Sequence, residues 1–235
     1  MKILIVSGFL GAGKTTFIKR LARNVDQRFA ILENEYGAAG IDGARLGQNR
    51  QGTQKNVWEM TEQCICCIGK KDFAASVLTI ANVVDPEYLI VEPTGVGSLA
   101  RIIENLRQIE YERIQLLSPV TIVDVYSYRR YMAEYPELYQ DQIRSADTII
   151  VSKTEACQAE EKQRIQKFLQ EINPQAKIIT DYASTMTRED YQSLLLGGRY
   201  EKEVQDTQSG EKMPETFSFE NIRMEAPETL WCFLE

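Results

Sequence analysis

Three of the chain's five cysteines, Cys64, Cys66 and Cys67, crowd into the stretch EQCICC, and there is no histidine anywhere in the sequence. Clustered thiolates are polarisable anionic ligands that select Zn²⁺, Cu⁺ or a borderline ion such as Co²⁺ or Ni²⁺. Residues two apart point the same way in an extended chain, so Cys64 and Cys66 can face one ion while Cys67 swings in from the turn. Three sulfurs leave a tetrahedral site one ligand short. Without histidine the fourth must be a carboxylate, a water or a group from another subunit, an open arrangement that suits metal release better than permanent structure. Two readings compete with this one: three small thiols packed in a core, and a Cys64–Cys67 redox pair with C-x-x-C spacing. Cys157 and Cys232 stand alone and read as inert.

A second constellation handles phosphate. Gly8 to Thr15, GFLGAGKT, matches G-x-x-x-x-G-K-[ST] and sits after an apolar run and before a helical pattern. Small residues let successive backbone N–H groups turn inward around phosphate oxygens, and the helix N-terminus adds partial positive charge. Gly11, Ala12, Gly13, Lys14, Thr15 and Thr16 are the candidate phosphate contacts. Lys14 would reach the β- and γ-phosphates, and the Thr15 hydroxyl would ligate Mg²⁺. Such a loop needs an acidic partner at the end of a neighbouring strand. YLIVEPTG supplies Glu92, followed three residues later by Gly95, whose N–H can meet a γ-phosphate and move when that phosphate leaves.

A third stretch, DTIIVSKTE, resembles the [NT]-K-x-D pattern that reads guanine. Here the Lys153 stem would cover one face of the base, and the Glu155 carboxylate would accept from the guanine N1–H and exocyclic amine. Adenine would leave that carboxylate unpaired, which discriminates strongly. Ser152 stands where Asn or Thr is usual, with a hydroxyl that can still donate, and Glu155 stands where Asp is usual. GTP is therefore favoured over ATP.

The elements that must carry these groups alternate. Apolar runs at 2–6, 29–33, 56–60, 88–92, 120–125, 148–152 and 177–180 read as strands, and helical spacing fills 16–23, 72–84, 98–109, 127–146 and 158–171. Strands alternating with helices predict an α/β, P-loop NTPase fold, a mostly parallel sheet with helices on both faces. Residues 1–199 form this domain, the polar stretch 200–216 reads as a linker, and 217–235 as one strand and the start of a helix, too little for a core of its own. Tyr128, Tyr131, Tyr135 and Tyr139 run at near-helical spacing and read as packing, with Pro136 as a breaker. At 235 residues and 43% hydrophobic the chain can bury a full core, and its net charge of −7 argues against nucleic acid or an anionic membrane as partner. No run approaches the ~20 apolar residues of a membrane helix, and the chain reads as cytoplasmic.

In order along the chain, GFLGAGKTT, NEYG…GID, CICC, VEPTG and DQIRSADTIIVSKTE resemble the motifs of CobW-like P-loop GTPases, relatives of the hydrogenase and urease nickel-insertion GTPases (HypB and UreG) in the SIMIBI class. The resemblance covers roughly residues 1–185. It implies a GTP-hydrolysing metal chaperone or metal-cofactor assembly factor, using Mg²⁺, carrying zinc, cobalt or nickel on Cys64, Cys66 and Cys67, and serving a client metalloprotein or cofactor-assembly enzyme. It also implies a possible homodimer across the nucleotide face. Lys14, Thr15, Glu92 and Gly95 fall on the catalytic loop, magnesium and switch positions. Glu35 and Asp42 fall in the first switch, where either would position the attacking water. Gln63 replaces the usual Gly before the cysteines, Ala38 replaces a common Glu, and 217–235 looks like the first strand and helix of the family's C-terminal domain, cut short. The rival readings are a P-loop ATPase or small-molecule kinase, and a regulator that binds nucleotide and metal without turnover.

Overall fold

The computed structural model describes residues 1–27, 29–33, 57–61, 70–93 and 95–204. Glu35, Asp42, Cys64, Cys66, Cys67 and the segment 205–235 lie outside the described residues. Among those described, eight strands form one sheet: β1 (Lys2–Gly8), β2 (Phe29–Glu33), β3 (Val57–Thr61), β4 (Tyr88–Glu92), β5 (Gln115–Leu116), β6 (Val120–Asp124), β7 (Thr148–Ser152) and β8 (Lys177–Ile179). Seven lie in the order β3-β2-β4-β1-β6-β7-β8, and β5 pairs β1 just before β6 takes over that edge. Every pairing between these strands is parallel.

A parallel sheet buried on both faces needs apolar side chains on both faces, and the strands supply them by simple alternation. Ile3, Ile5, Leu89, Val91, Ile149 and Val151 point into one core, while Leu4, Val6, Ile90, Ile122 and Ile150 point into the other. Helices α2 (Lys70–Val83), α3 (Leu99–Arg107), α4 (Tyr128–Glu134), α5 (Pro136–Arg144) and α6 (Ala159–Ile172) cover the first face. Helix α1 (Lys14–Asn24) and two short helices, α7 (Tyr182–Thr185) and α8 (Arg188–Leu196), cover the second through Phe17, Ile18, Leu21, Tyr182, Tyr191 and Leu195.

The segment 127–146, expected as one helical stretch, is two helices. Pro136 has no N–H to continue α4 and instead occupies the first turn of α5, where none is needed. The tyrosines pack as expected. Tyr131, Tyr135 and Tyr139 place their rings 4.6, 5.9 and 5.1 Å from that of Phe9, and Tyr128 lies 5.0 Å from Phe168. The packed chain runs on through Tyr200, whose amide donates to Leu116 O (2.8 Å) and whose hydroxyl donates to Ser145 O (2.9 Å).

Chain order sets where function can lie. From β1 the chain builds the β4–β2–β3 side, then crosses to build β6, β7 and β8. The carboxyl ends of β1, β4 and β6 therefore meet at the point where strand order reverses, the usual crevice of an open α/β sheet. Among the described residues no helix is long and apolar enough to cross a membrane.

Candidate functional site

At the end of β1 the chain turns through Gly11 and Gly13, both at positive φ, and enters α1. Gly13 is the N-cap of α1 at φ 100°, a conformation a Cβ would strain, and it brings no capping side chain. The first-turn amides of α1 are thus the loop's own donors toward an anion. Ala12 N donates to Phe9 O (3.1 Å) and closes the loop. Lys14 is buried and folds its ammonium back onto Phe9 O at 3.4 Å. Thr16 is exposed on the first turn.

The Thr15 hydroxyl donates to the Glu92 carboxylate, 3.0 Å from one oxygen and 3.3 Å from the other. Glu92 is 9% exposed at the end of an apolar strand. A hydroxyl and a carboxylate side by side are the hard oxygen donors that Mg²⁺ takes alongside substrate phosphates, so the residues fit that ion.

Gly95 lies directly against this loop. A Cβ there would stand 2.3 Å from Leu10 N and 2.8 Å from Phe9 C, both backbone atoms, so only glycine fits. The turn is gripped from the far side by α5. Gln142 Nε2 donates to Gly95 O (3.2 Å) and Gly97 O (2.9 Å), and Asp141 Oδ2 accepts from Leu99 N (2.7 Å) and Ala100 N (3.4 Å).

Strand register connects this centre to the approach of the cysteine run. Glu92 of β4 pairs with Glu33 of β2, and Glu33 with Thr61 of β3. Two strand spacings put the Thr61 backbone roughly 10 Å from that of Glu92. The chain enters EQCICC from Thr61, at the same carboxyl edge as the phosphate loop.

On the other side, the Ser152 hydroxyl donates to Ala12 O at 2.6 Å, which ties the end of β7 to the phosphate loop. Lys153 adopts a left-handed conformation (φ 59°) and its ammonium meets Asp124 Oδ2 at 2.6 Å. Asp124 is buried at the end of β6 and also accepts from Tyr126 N (2.9 Å) and the Ser127 hydroxyl (3.0 Å). Glu155 is exposed, and its charge contributes to raising the Tyr182 hydroxyl, which burial raises first. Buried Thr154 hydrogen-bonds Asp181, which Lys162 meets at 2.6 Å. Those two contacts, Lys162 first, hold the Asp181 carboxyl below its ordinary range. Cys157 sits in the same loop, and its hydrogen bond with the exposed Tyr126 hydroxyl pushes the latter up to about 12.

Thr15, Glu92 and Gly95 are thus brought together with the phosphate loop, Ser152 is bonded to it, and Lys153 is held beside it by Asp124. Asp124, Asp181 and Gln142 are additions that the sequence pattern did not single out. For Asp124 a signal exists: VTIVD, like YLIVE, is an apolar strand ending in one acid.

A family model described as the CobW/HypB/UreG nucleotide-binding domain matches residues 2–180. The zinc chaperone YeiR of Escherichia coli (strain K12) is 30% identical over 178 residues, covering 74% of this chain and 53% of that protein. The crystal structure of Zn(II)-bound YjiA GTPase from E. coli superposes with a TM-score of 0.58 at 20% identity, over 86% of this chain and 66% of that one. The hydrogenase maturation factor HypB from Archaeoglobus fulgidus gives 0.59 at 18% identity, over 83% and 89%. At these identities the two structures speak for the fold. The chain spans about half the length of the curated relatives it matches.

Proposed function

Because the chain belongs to the CobW/HypB/UreG family of nucleotide-binding domains, we propose that it binds and hydrolyses GTP and couples that cycle to holding and releasing a transition metal for a client metalloprotein or cofactor-assembly enzyme. The observation that carries this reading is the Thr15–Glu92 contact, in the same register row as Thr61 and two strands from it, where the chain leads into the cysteines.

The amides from Gly11 to Thr16 cradle the triphosphate, and Lys14 offsets charge on its β- and γ-oxygens. Thr15 and Glu92 hold Mg²⁺, which when bound neutralises charge between those two phosphates. Glu35 or Asp42 orients the attacking water. Glu155 reads the guanine edge, with Ser152 and Lys153 framing the base. The Gly95 amide meets the γ-phosphate, so the turn relaxes when that phosphate leaves. Cys64, Cys66 and Cys67 hold the cargo, Zn²⁺ or else Co²⁺ or Ni²⁺. Zinc is the first ion to test, since the named relatives are a zinc chaperone and a Zn-bound GTPase. The division into a GTPase domain at 1–199, a linker at 200–216 and the opening of a further domain at 217–235 belongs to the same reading, with linker residues 200–204 lying against the domain, as does pairing of two copies across the nucleotide face.

Metal competition against a chromogenic chelator, run with a non-hydrolysable GTP analogue and again with GDP, tests the coupling. A difference in zinc affinity between the two states is expected, and equal affinities would remove the coupling. Single-turnover hydrolysis separates a GTPase from a protein that only binds nucleotide.

A further inference from the structure

Away from the nucleotide site, α4 and α6 flank an open groove of about 400 Å³. Its floor is apolar: the buried ring of Tyr128, the partly buried ring of Phe168 and Met132. Its walls are basic. The Arg129 guanidinium lies over the Tyr128 ring and donates through Nε to the Tyr128 hydroxyl at 3.0 Å. Arg164 donates through Nε to Glu160 O (3.2 Å), and Lys167 stands one turn further along α6. None of these three cations forms an ion pair among the described residues. One acid, Glu171, lines the far end.

Three unneutralised cations around an aromatic floor are out of keeping with a chain of net charge −7. In the lining Glu171 is one acid against three cations, and Glu160 and Glu161 stand one turn before Arg164 on α6. The shape also restricts the occupant. The groove is open to solvent rather than enclosed, which favours an extended chain over a small molecule that would be left mostly wet. The 14 residues of α6 span roughly 21 Å, enough for about six extended residues.

We propose that this groove docks an acidic segment of a partner protein, with an aromatic or aliphatic side chain seated on Tyr128 and Phe168 and carboxylates meeting Arg129, Arg164 and Lys167. Position gives such docking a consequence. Helix α4 separates the groove from the phosphate loop, with Tyr131 donating to Leu10 O at 3.1 Å from its other face. The strand-end segment that starts α4 holds Asp124, the partner of Lys153. The inference stands apart from the identity of the nucleotide or the cargo.

The test is fluorescence anisotropy of labelled twelve-residue peptides on the full chain. One peptide has a central Phe-Leu flanked by Glu and Asp. A second has those acids changed to Gln, and a third has the Phe-Leu pair changed to Ala-Ala. The acidic peptide should bind at least about tenfold more tightly than either, and raising the salt should weaken it several-fold. Lys167→Glu and Arg164→Glu should each reduce its affinity by about tenfold, whereas Lys177→Glu, the same charge change on exposed β8, should not. Circular dichroism and GTP affinity serve as folding controls for all variants. Three outcomes overturn the proposal: no binding of the acidic peptide up to about 1 mM, binding indifferent to the Phe-Leu pair, or equal losses in Lys177→Glu and Lys167→Glu.

Discussion

At the phosphate end of the cleft, Gly95 lies against Leu10 with no room for a Cβ, Lys14 and Glu92 are buried, and a close backbone-to-backbone approach fixes the geometry. At the end proposed to hold the base, side-chain ion pairs reach solvent: Lys153 is 47% exposed against Asp124 at 5%, and Lys162 and Asp181 are 26% and 28% exposed. Backbone sterics cannot be adjusted by degrees. A one-carbon intrusion displaces the loop or it does not. An ion pair with a partner in solvent is softer, since water can stand in for the exposed side chain at small cost. The phosphate end should therefore fail abruptly on substitution, and the base end should lose function in increments.

Four changes test that contrast, in descending size. Gly95→Ala should lower GTP hydrolysis by about 100-fold, because the added carbon forces Phe9 and Leu10 aside by a distance that ruins alignment. Steady-state turnover measures it, and near-normal turnover would show that the close approach is not rigid. Glu92→Gln keeps an acceptor for Thr15 but removes the charge, and should raise the Mg²⁺ needed for half-maximal hydrolysis about tenfold. Asp124→Asn removes the charge facing Lys153 within a buried set of hydrogen bonds. It should cost about 1–3 kcal/mol in urea unfolding and weaken the preference for GTP over ATP without abolishing turnover.

The smallest effect is pH-dependent. The Asp181 carboxyl is held below its ordinary value in the folded chain, chiefly by Lys162 and then by Thr154. A depressed folded value means its stabilising contribution is fully present above the unfolded value of about 3.9 and is lost as pH falls through the folded value below it. The Tm gap between the parent and Asp181→Asn should stay constant from pH 7 to about pH 5 and close below about pH 4. A gap that closes near neutrality would locate the effect in some other group.

How much of this could be read from residues alone follows from the same contrast. The phosphate loop was legible because its chemistry demands small residues at fixed spacing before a lysine, and Glu92 because five buried strand residues end in a single acid. The strands were legible because burial on both faces writes them as continuous apolar runs. The two-residue β5 carries no such run. Helices α7 and α8 are four and nine residues long, too short for helical spacing to stand out. Thr187 and Asp190 form a reciprocal cap on α8, a local signal that apolar periodicity alone does not register. Asp181 was hidden for a different reason, since its partners Thr154 and Lys162 come from elsewhere in the chain and only the fold joins them.

The division at Pro136 has a mechanical consequence. Between Tyr135 and Pro136 the ladder of helical hydrogen bonds lacks a rung, because the proline nitrogen has nothing to donate. The chain bends at Tyr135, whose N–H closes α4 on Tyr131 O and whose carbonyl opens α5 by accepting from Tyr139 N. One arm of this elbow touches the loop through Tyr131, and the other clasps the glycine turn through Gln142. Tyr139 of the second arm packs on Phe9 just as Tyr131 of the first does, so both arms bear on the loop while the second also carries the glycine turn.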